Sequence, residues 1–174
     1  MLKSLSLANA FMKRTIRPVY AHHSAVPYAA FLDLTANGTT VIYPGNVATK
    51  TTGEQVKLCD ATAVPFGLFG NFVNGTMDEL QGKAEIGVWI GGTDSVFEIL
   101  AGPGADGSAD EGPLDKSVSW ASLNSTAGGV LLYSNADGRL TNVDGGGHAV
   151  CRLIEAVSAT KIKVQLVGTS VVGE

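Results

Sequence analysis

From Tyr28 onward, this chain never stays apolar for more than a few residues before Gly, Asn or Asp interrupts it. Asn37-Gly38, Asn74-Gly75 and Asp137-Gly138 are dipeptides that tolerate the positive φ of tight hairpin turns. Punctuation this dense leaves no room for the long periodic segments of a helical bundle. It fits short strands joined by turns. Glycine supplies 22 of 174 residues, where about 7% is ordinary, and charged residues are 16%, below the usual quarter or so. High glycine with low charge, and no low-complexity repeat, also argues against disorder. The length suits one domain, or two very small ones sharing a core, and a chain of this size needs neither disulfide nor metal to fold.

Between the turn signals lie nine expected strands: Thr39–Tyr43, Gln55–Cys59, Val64–Phe72, Ala84–Ile90, Val96–Leu100, Val118–Ala121, Val130–Tyr133, Ala149–Ala156 and Lys161–Val167. Ile86, Val88 and Ile90 share one face of their strand, and Ile162, Val164 and Leu166 do the same in the last one. The expected fold is all-β: a small Gly-rich β-barrel or sandwich with an extended N-terminal arm. An internal echo suggests two pseudo-duplicated halves. Gly45 and Gly129 are 84 residues apart, Gly53 and Gly138 are 85 apart, and the two alternating strands are 76 apart. The first copy carries the longer hairpin, Asn71–Lys83. The alternative is that small β-barrels share this grammar by convergence. The expected organisation is an arm over 1–27 and a β-rich body over 28–174. Its halves run roughly 41–100 and 129–168, with an acidic Gly/Pro loop, 101–117, between them.

The net charge is −4 and the pI about 5.3, which argues against a basic nucleic-acid binder. The first acidic residue is Asp33, so Lys3, Lys13, Arg14 and Arg17 form a basic leader on an acidic body. Such a leader reads as a solvated tail or as a docking arm for an acidic partner. It resembles a transit peptide superficially but lacks an uninterrupted apolar segment. No apolar stretch approaches the roughly 20 residues that span a bilayer, so a soluble protein without a membrane partner is expected. Cys59 and Cys151 lack CxxC spacing and read as small buried hydrophobes in a reducing compartment.

The candidate chemistry is thin. Asp106, Asp110 and Glu111 invite calcium, but their spacing is not that of an EF-hand loop. His22, His23 and His148 are the only histidines, and adjacent histidines in a strand point to opposite faces. Gly91-Gly-Thr-Asp94 lacks the Lys-Ser/Thr ending of a phosphate loop. Asp78, Glu79, Glu85 and Glu98 read as outward-facing residues of a half-exposed sheet. No catalytic residue, metal or cofactor is expected, and the protein reads as non-enzymatic.

Phe66, Phe69 and Phe72 are spaced by three, which puts neighbours on opposite faces of a regular strand. Either the strand bulges at Gly67 or Gly70, or one Phe is turned toward a partner subunit. Trp89 is out of phase with Ile86, Val88 and Ile90. It is either a glycan platform or is packed on a second sheet, a neighbouring subunit or the arm. These four aromatics are the candidate subunit-interface residues.

A basic arm on a Gly-rich, cysteine-poor β-body describes a structural component, and the sequence resembles the head decoration (cement) proteins of tailed bacteriophages. The resemblance is carried by Ala29-Ala-Phe-Leu-Asp-Leu34, Tyr43-Pro-Gly-Asn-Val-Ala48, Val64-Pro-Phe-Gly-Leu-Phe69 and Glu85-Ile-Gly-Val-Trp-Ile-Gly-Gly92. It continues through Leu132–Thr141, Ala149–Val157 and Lys161–Val167. It implies a protein made in the host cytoplasm that binds the outside of an expanded icosahedral capsid and clamps neighbouring capsomers. Its partners would be the major capsid protein and copies of itself in a homotrimer. The arm would reach the capsid through Leu2, Lys3, Lys13, Arg14 and Arg17. This arm departs from many small decoration proteins in being basic and partly apolar. Removing residues 1–20 should then leave the body folded and abolish shell binding. The rival reading is a head-fibre or tail-associated carbohydrate-binding β module.

Overall fold

The computed structural model describes residues 16–20, 26–38, 40–73, 85–90, 95–101, 112–125 and 129–167. Eleven strands carry the fold: β1 (Ile16–Tyr20), β2 (Val26–Leu32), β3 (Val47–Lys50), β4 (Gln55–Leu58), β5 (Pro65–Phe69), β6 (Glu85–Ile90), β7 (Val96–Leu100), β8 (Leu131–Ser134), β9 (Leu140–Thr141), β10 (Cys151–Ser158) and β11 (Lys161–Leu166). A helical turn, α1 (Leu34–Asn37), comes after β2, and a 3-10 helix spans Trp120–Ser125. Strands β2-β4-β3-β5-β6 close into a barrel, and β1-β7-β11-β10-β8-β9 form a second, six-stranded sheet. The protein is all-β, as the turn grammar predicts.

The echo in the sequence is a structural duplication. Leaving out β1, the chain reads twice as one strand, a helical turn, then four strands. The first unit has the order β4-β3-β5-β6-β2 and the second β9-β8-β10-β11-β7. The registers agree as well. Leu68 lies opposite Trp89 in unit one, and their equivalents Arg152 and Gln165 lie opposite each other in unit two, 84 and 76 residues on. Ala30 faces Ile86 as Ile99 faces Ile162. Asp33 donates its N–H to the Val56 carbonyl, and Asp115 donates its own to that of Leu140. Both carboxylates then cap the turn just downstream, Asp33 accepting from the Ala36 N–H and Asp115 from that of Ser117, each at 2.9 Å. The Ala36 bond depresses the Asp33 carboxyl below the usual range, and at Asp115 burial pushes the other way but is outweighed by the Ser117 hydroxyl and N–H and by Asn135.

The two units differ where the closing strand should be. Ala30 and Ile99 are 69 residues apart, but Asp33 and Asp115 are 82 apart, so unit two carries thirteen extra residues between them. In unit one, Phe31 pairs with Glu85 on one side and Gln55 on the other, closing the barrel. In unit two, β7 pairs with β11, and the parallel contact to β9 is made later, by Leu114. Val96–Leu100, expected to end the first half, therefore opens the second.

Further expectations shift at particular residues. The segment expected as a strand over Thr39–Tyr43 pairs, among the described residues, through a single bridge, Ile42 to Val73. Val118–Ala121 is no strand, because Asp115 captures the Ser117 N–H and hydroxyl and starts a 3-10 turn. β1, β2, β3 and β9 lie outside the nine expected strands. In β3, Val47 and Ala48 are both wholly buried, one in each core, so the strand shows no alternation. The bulge expected in the Phe-rich strand is present. Ala48 pairs with Gly67 but Thr49 with Pro65, leaving Phe66 as the extra residue. Gly67 is required there, since a Cβ would lie 2.2 Å from the Trp89 carbonyl oxygen.

Two cores result. One fills the barrel with Ile42, Ala48, Val56, Phe69, Ile86 and Val88. The other lies under the six-stranded sheet and joins Phe97, Ile99, Leu132, Ile162 and Val164 to Val47, Cys59 and Leu68 from the outside of the barrel. Unit one thus packs its outer face into the open interior of unit two. The β8–β9 turn pins this junction. Gly138, at φ +72°, accepts from the Val47 N–H (2.8 Å) and from Asn46 Nδ2 (3.1 Å).

Candidate functional site

Strand β1 brings part of the basic leader onto the body. It pairs antiparallel with the outer edge of β7, with Ile16 opposite Ile99 and Arg17 opposite Glu98. Ile16 turns inward and joins the second core, whereas Arg17 turns out. Register then continues the row: Glu98 faces Lys163 on β11, which faces Glu155 on β10. Four strands therefore carry an alternating ladder, Glu155, Lys163, Glu98, Arg17, on one outer face. Arg17 Nε donates to Glu98 Oε1 at 2.8 Å, Lys163 Nζ donates to Glu155 Oε2 at 2.6 Å, and Lys161 Nζ stands 3.7 Å from Glu98.

Glu98 is on the solvent side of the sheet yet only 6% exposed, because these long side chains cover it. The Arg17 hydrogen bond, with Lys161 nearby, holds its carboxyl below the usual range. The sequence marks it only as an ordinary outward-facing acid. Its partner lies 81 residues away in sequence, so spacing offered no signal.

Among the other candidate arm residues, Leu2, Lys3, Lys13 and Arg14 lie outside the described residues, as do His22, His23, Asp78, Glu79, Asp106, Asp110 and Glu111. Phe69 is wholly buried in the barrel and has no surface to offer a partner. Phe66 is half-buried at the barrel rim, edge-on to Tyr28 (5.3 Å) with Lys50 Nζ 4.7 Å above its ring. Phe72 packs edge-on to Tyr43. Trp89 is partly buried and packs against the second core, its ring 5.3 Å from that of Phe97. Cys59 and Cys151 are free and buried, and burial pushes the Cys59 thiol up to about 11 and Cys151 higher still.

A crevice of about 440 Å³ opens at the junction, lined by Thr40, Val41, Tyr43, Asn46, Gly112, Asp137 and Arg139. Its Asn46 is tied up by the fold: Oδ1 accepts from the Tyr43 N–H while Nδ2 donates to the Gly138 carbonyl. Among the described residues, no group of three or more His, Cys, Asp or Glu is placed to hold a metal. No helix among them is long and apolar enough to cross a membrane.

A closed barrel and an open six-stranded sheet share one junction core, their polar side chains cap turns and bridge strands, and Arg17 is held at the sheet edge. The family model for phage cement proteins matches residues 2–173, nearly the whole chain, and the protein belongs to that family. Its role is structural and capsid-associated, and its place is the virion capsid. No curated protein matches the chain.

Proposed function

We propose that the protein is a non-enzymatic clamp on the outer surface of an assembled icosahedral phage capsid. It joins neighbouring capsomers through the major capsid protein and sits there as a homotrimer, after synthesis in the host cytoplasm. It needs no cofactor and takes neither nucleic acid nor membrane as partner. The observation that carries this reading is the family match across residues 2–173, which spans both units and the leader. A duplicated body with a continuous junction core is a stiff spacer, and stiffness suits a clamp. The mass-action logic is simple. A protein that binds only the assembled shell stabilises it by RT ln(1 + [L]/Kd) at each site, so many sites make modest affinity sufficient.

Strand addition to the capsid has little support in the described sheets. The barrel has no free edge, β9 is two residues long, and β1 has Pro18 at its centre. Attachment through side-chain faces and the leader fits better. Quantitative mass spectrometry of purified virions tests the reading. Copies comparable in number to the major capsid protein support the clamp. A handful per particle would instead favour the fibre or tail-associated carbohydrate-binding module, and absence from the virion would refute both.

A further inference from the structure

The face by which unit one holds unit two exists a second time. In unit one that face presents Val47, Leu68 and Trp89, all packed into the second core. The equivalents in unit two, by strand register, are Leu131, Arg152 and Gln165. Leu131, 38% exposed, and Arg152 both reach solvent. An interface that runs head to tail leaves its last copy open, and such a face either polymerises or is given other chemistry. Here the chemistry has changed. The apolar pair Leu68 and Trp89 has become Arg152 and Gln165.

The same face carries the charge ladder and collects cations. Arg17, Arg152, Lys161 and Lys163 stand on it with two carboxylates, Glu98 and Glu155. The face is therefore net positive on a chain of net charge −4. Lys3, Lys13 and Arg14 precede β1, the strand at its edge. Among the described residues the face holds four of the eight Lys and Arg but only two of the nine Asp and Glu. Beside them Ile154 is 50% and Val157 43% exposed, large aliphatic side chains on the same strand as Arg152. Aliphatic surface interleaved with mixed but net positive charge fits an acidic protein surface. It fits nucleic acid less well, because Glu98 and Glu155 within the row would repel phosphates.

We propose that the outer face of β7, β11, β10 and β8, with Arg17 of β1 at its edge, is the docking face for an acidic patch on the assembled capsid shell. This rests on the clamp reading above and names the surface that does the clamping. Its consequence is orientation: the six-stranded sheet faces the shell, and the barrel points away from it.

Co-sedimentation with shells lacking this protein tests the assignment, using the full-length chain. Binding should weaken at least about fivefold between about 50 and 300 mM NaCl, because exposed charge pairs are screened over that range. Arg152→Gln with Lys161→Gln should weaken binding at low salt by roughly the same factor and remove much of the salt dependence. Lys57→Gln with Lys116→Gln removes equal charge elsewhere and should bind within about twofold of the unaltered protein. Salt-insensitive binding of the unaltered protein would overturn the proposal, whatever the variants do. So would equal binding by the Arg152/Lys161 variant, and both results leave the clamp reading standing. No binding by the unaltered protein would overturn both. Salt-sensitive self-association without shells, abolished by the same variant, would assign the face to a second copy of this chain and overturn the shell assignment.

Discussion

The contact between Arg17 and Glu98 ties the leader to the body, and its strength can be worked out from the structure. Replacing Arg17 by Ala removes a 2.8 Å hydrogen bond and leaves a carboxylate, its side chain 8% exposed, to Lys161 at 3.7 Å and the more distant Lys163. An exposed ion pair contributes only about 0.2–1 kcal/mol. A hydrogen bond to a charged, largely desolvated acceptor contributes about 1.5–3 kcal/mol. Arg17 is 69% exposed, which discounts the larger figure, and Lys161 compensates in part. The expected loss is about 1–2 kcal/mol at pH 7, or a melting shift of roughly 3–6 °C for a chain of this size.

The direction of the Glu98 shift sets the sign of the pH dependence. Its folded carboxyl is depressed, chiefly by Arg17, so its contribution is present above the unfolded value, about 4.3. That contribution is lost as pH falls through the lower folded value. Urea unfolding of the wild type, Arg17→Ala, Glu98→Gln and the double variant should give a coupling of about 1–2 kcal/mol at pH 7. The coupling should fall as pH drops below the unfolded value, about 4.3, and vanish once the folded carboxyl is protonated. A coupling below about 0.3 kcal/mol at pH 7, or one that stays constant through the whole acid range in which the protein remains folded, refutes the argument, because an apolar or backbone role for β1 would not titrate.

Gly67→Ala should cost about 3 kcal/mol in a thermal melt, since the new methyl meets the Trp89 carbonyl oxygen on a paired strand, and a loss under about 1 kcal/mol would show that the bulge yields freely. Removing residues 1–15 should leave the melting temperature nearly unchanged but weaken shell binding. Removing 1–20 takes away β1 with the buried Ile16, so it should lower stability by about 2–4 kcal/mol, and an unchanged melt would mean that β1 does not hold the sheet. Neither Cys59 nor Cys151 should react with a thiol reagent at pH 8 in native protein, because both are buried and their thiolates disfavoured; modification within minutes would contradict that burial.

Most of the fold was legible because one local rule, alternation between turn signals, governs most of the strands. Ile86, Val88 and Ile90 alternate because β6 has the barrel core on one side only, and Ile162, Val164 and Leu166 do so for the same reason. β3 was hidden because Val47 serves one core and Ala48 the other, which erases the period. β1 and the whole of β2 were missed: Pro18 and Pro27 suggest an extended arm and say nothing about whether a strand lies beside it, and residues 28–32 beyond them were not read as a strand either. The charged face was illegible in principle. Its ladder draws Arg17, Glu98, Glu155 and Lys163 from four strands, and only register brings them into one row.

The inserted residues and the docked leader are two sides of one departure from symmetry. In unit one a single strand does two jobs: β2 holds β6 along its length and reaches β4 at Phe31 and Leu32. In unit two those jobs are divided, with β7 on β11 and Leu114 on β9. Once β7 no longer has to curl over to close a barrel, it can lie flat as a member of an open sheet, and its far edge is left without a partner. An unpaired edge of five residues with Phe97 and Ile99 on its inner face would invite aggregation. β1 fills that edge, Pro18 ends the sheet there, and Arg17 neutralises the acid that β7 presents. The opened unit also gains an interior into which the barrel packs Leu68 and Trp89. One insertion thus accounts for the rigid junction, the anchoring point of the basic leader and the flat charged face beside it.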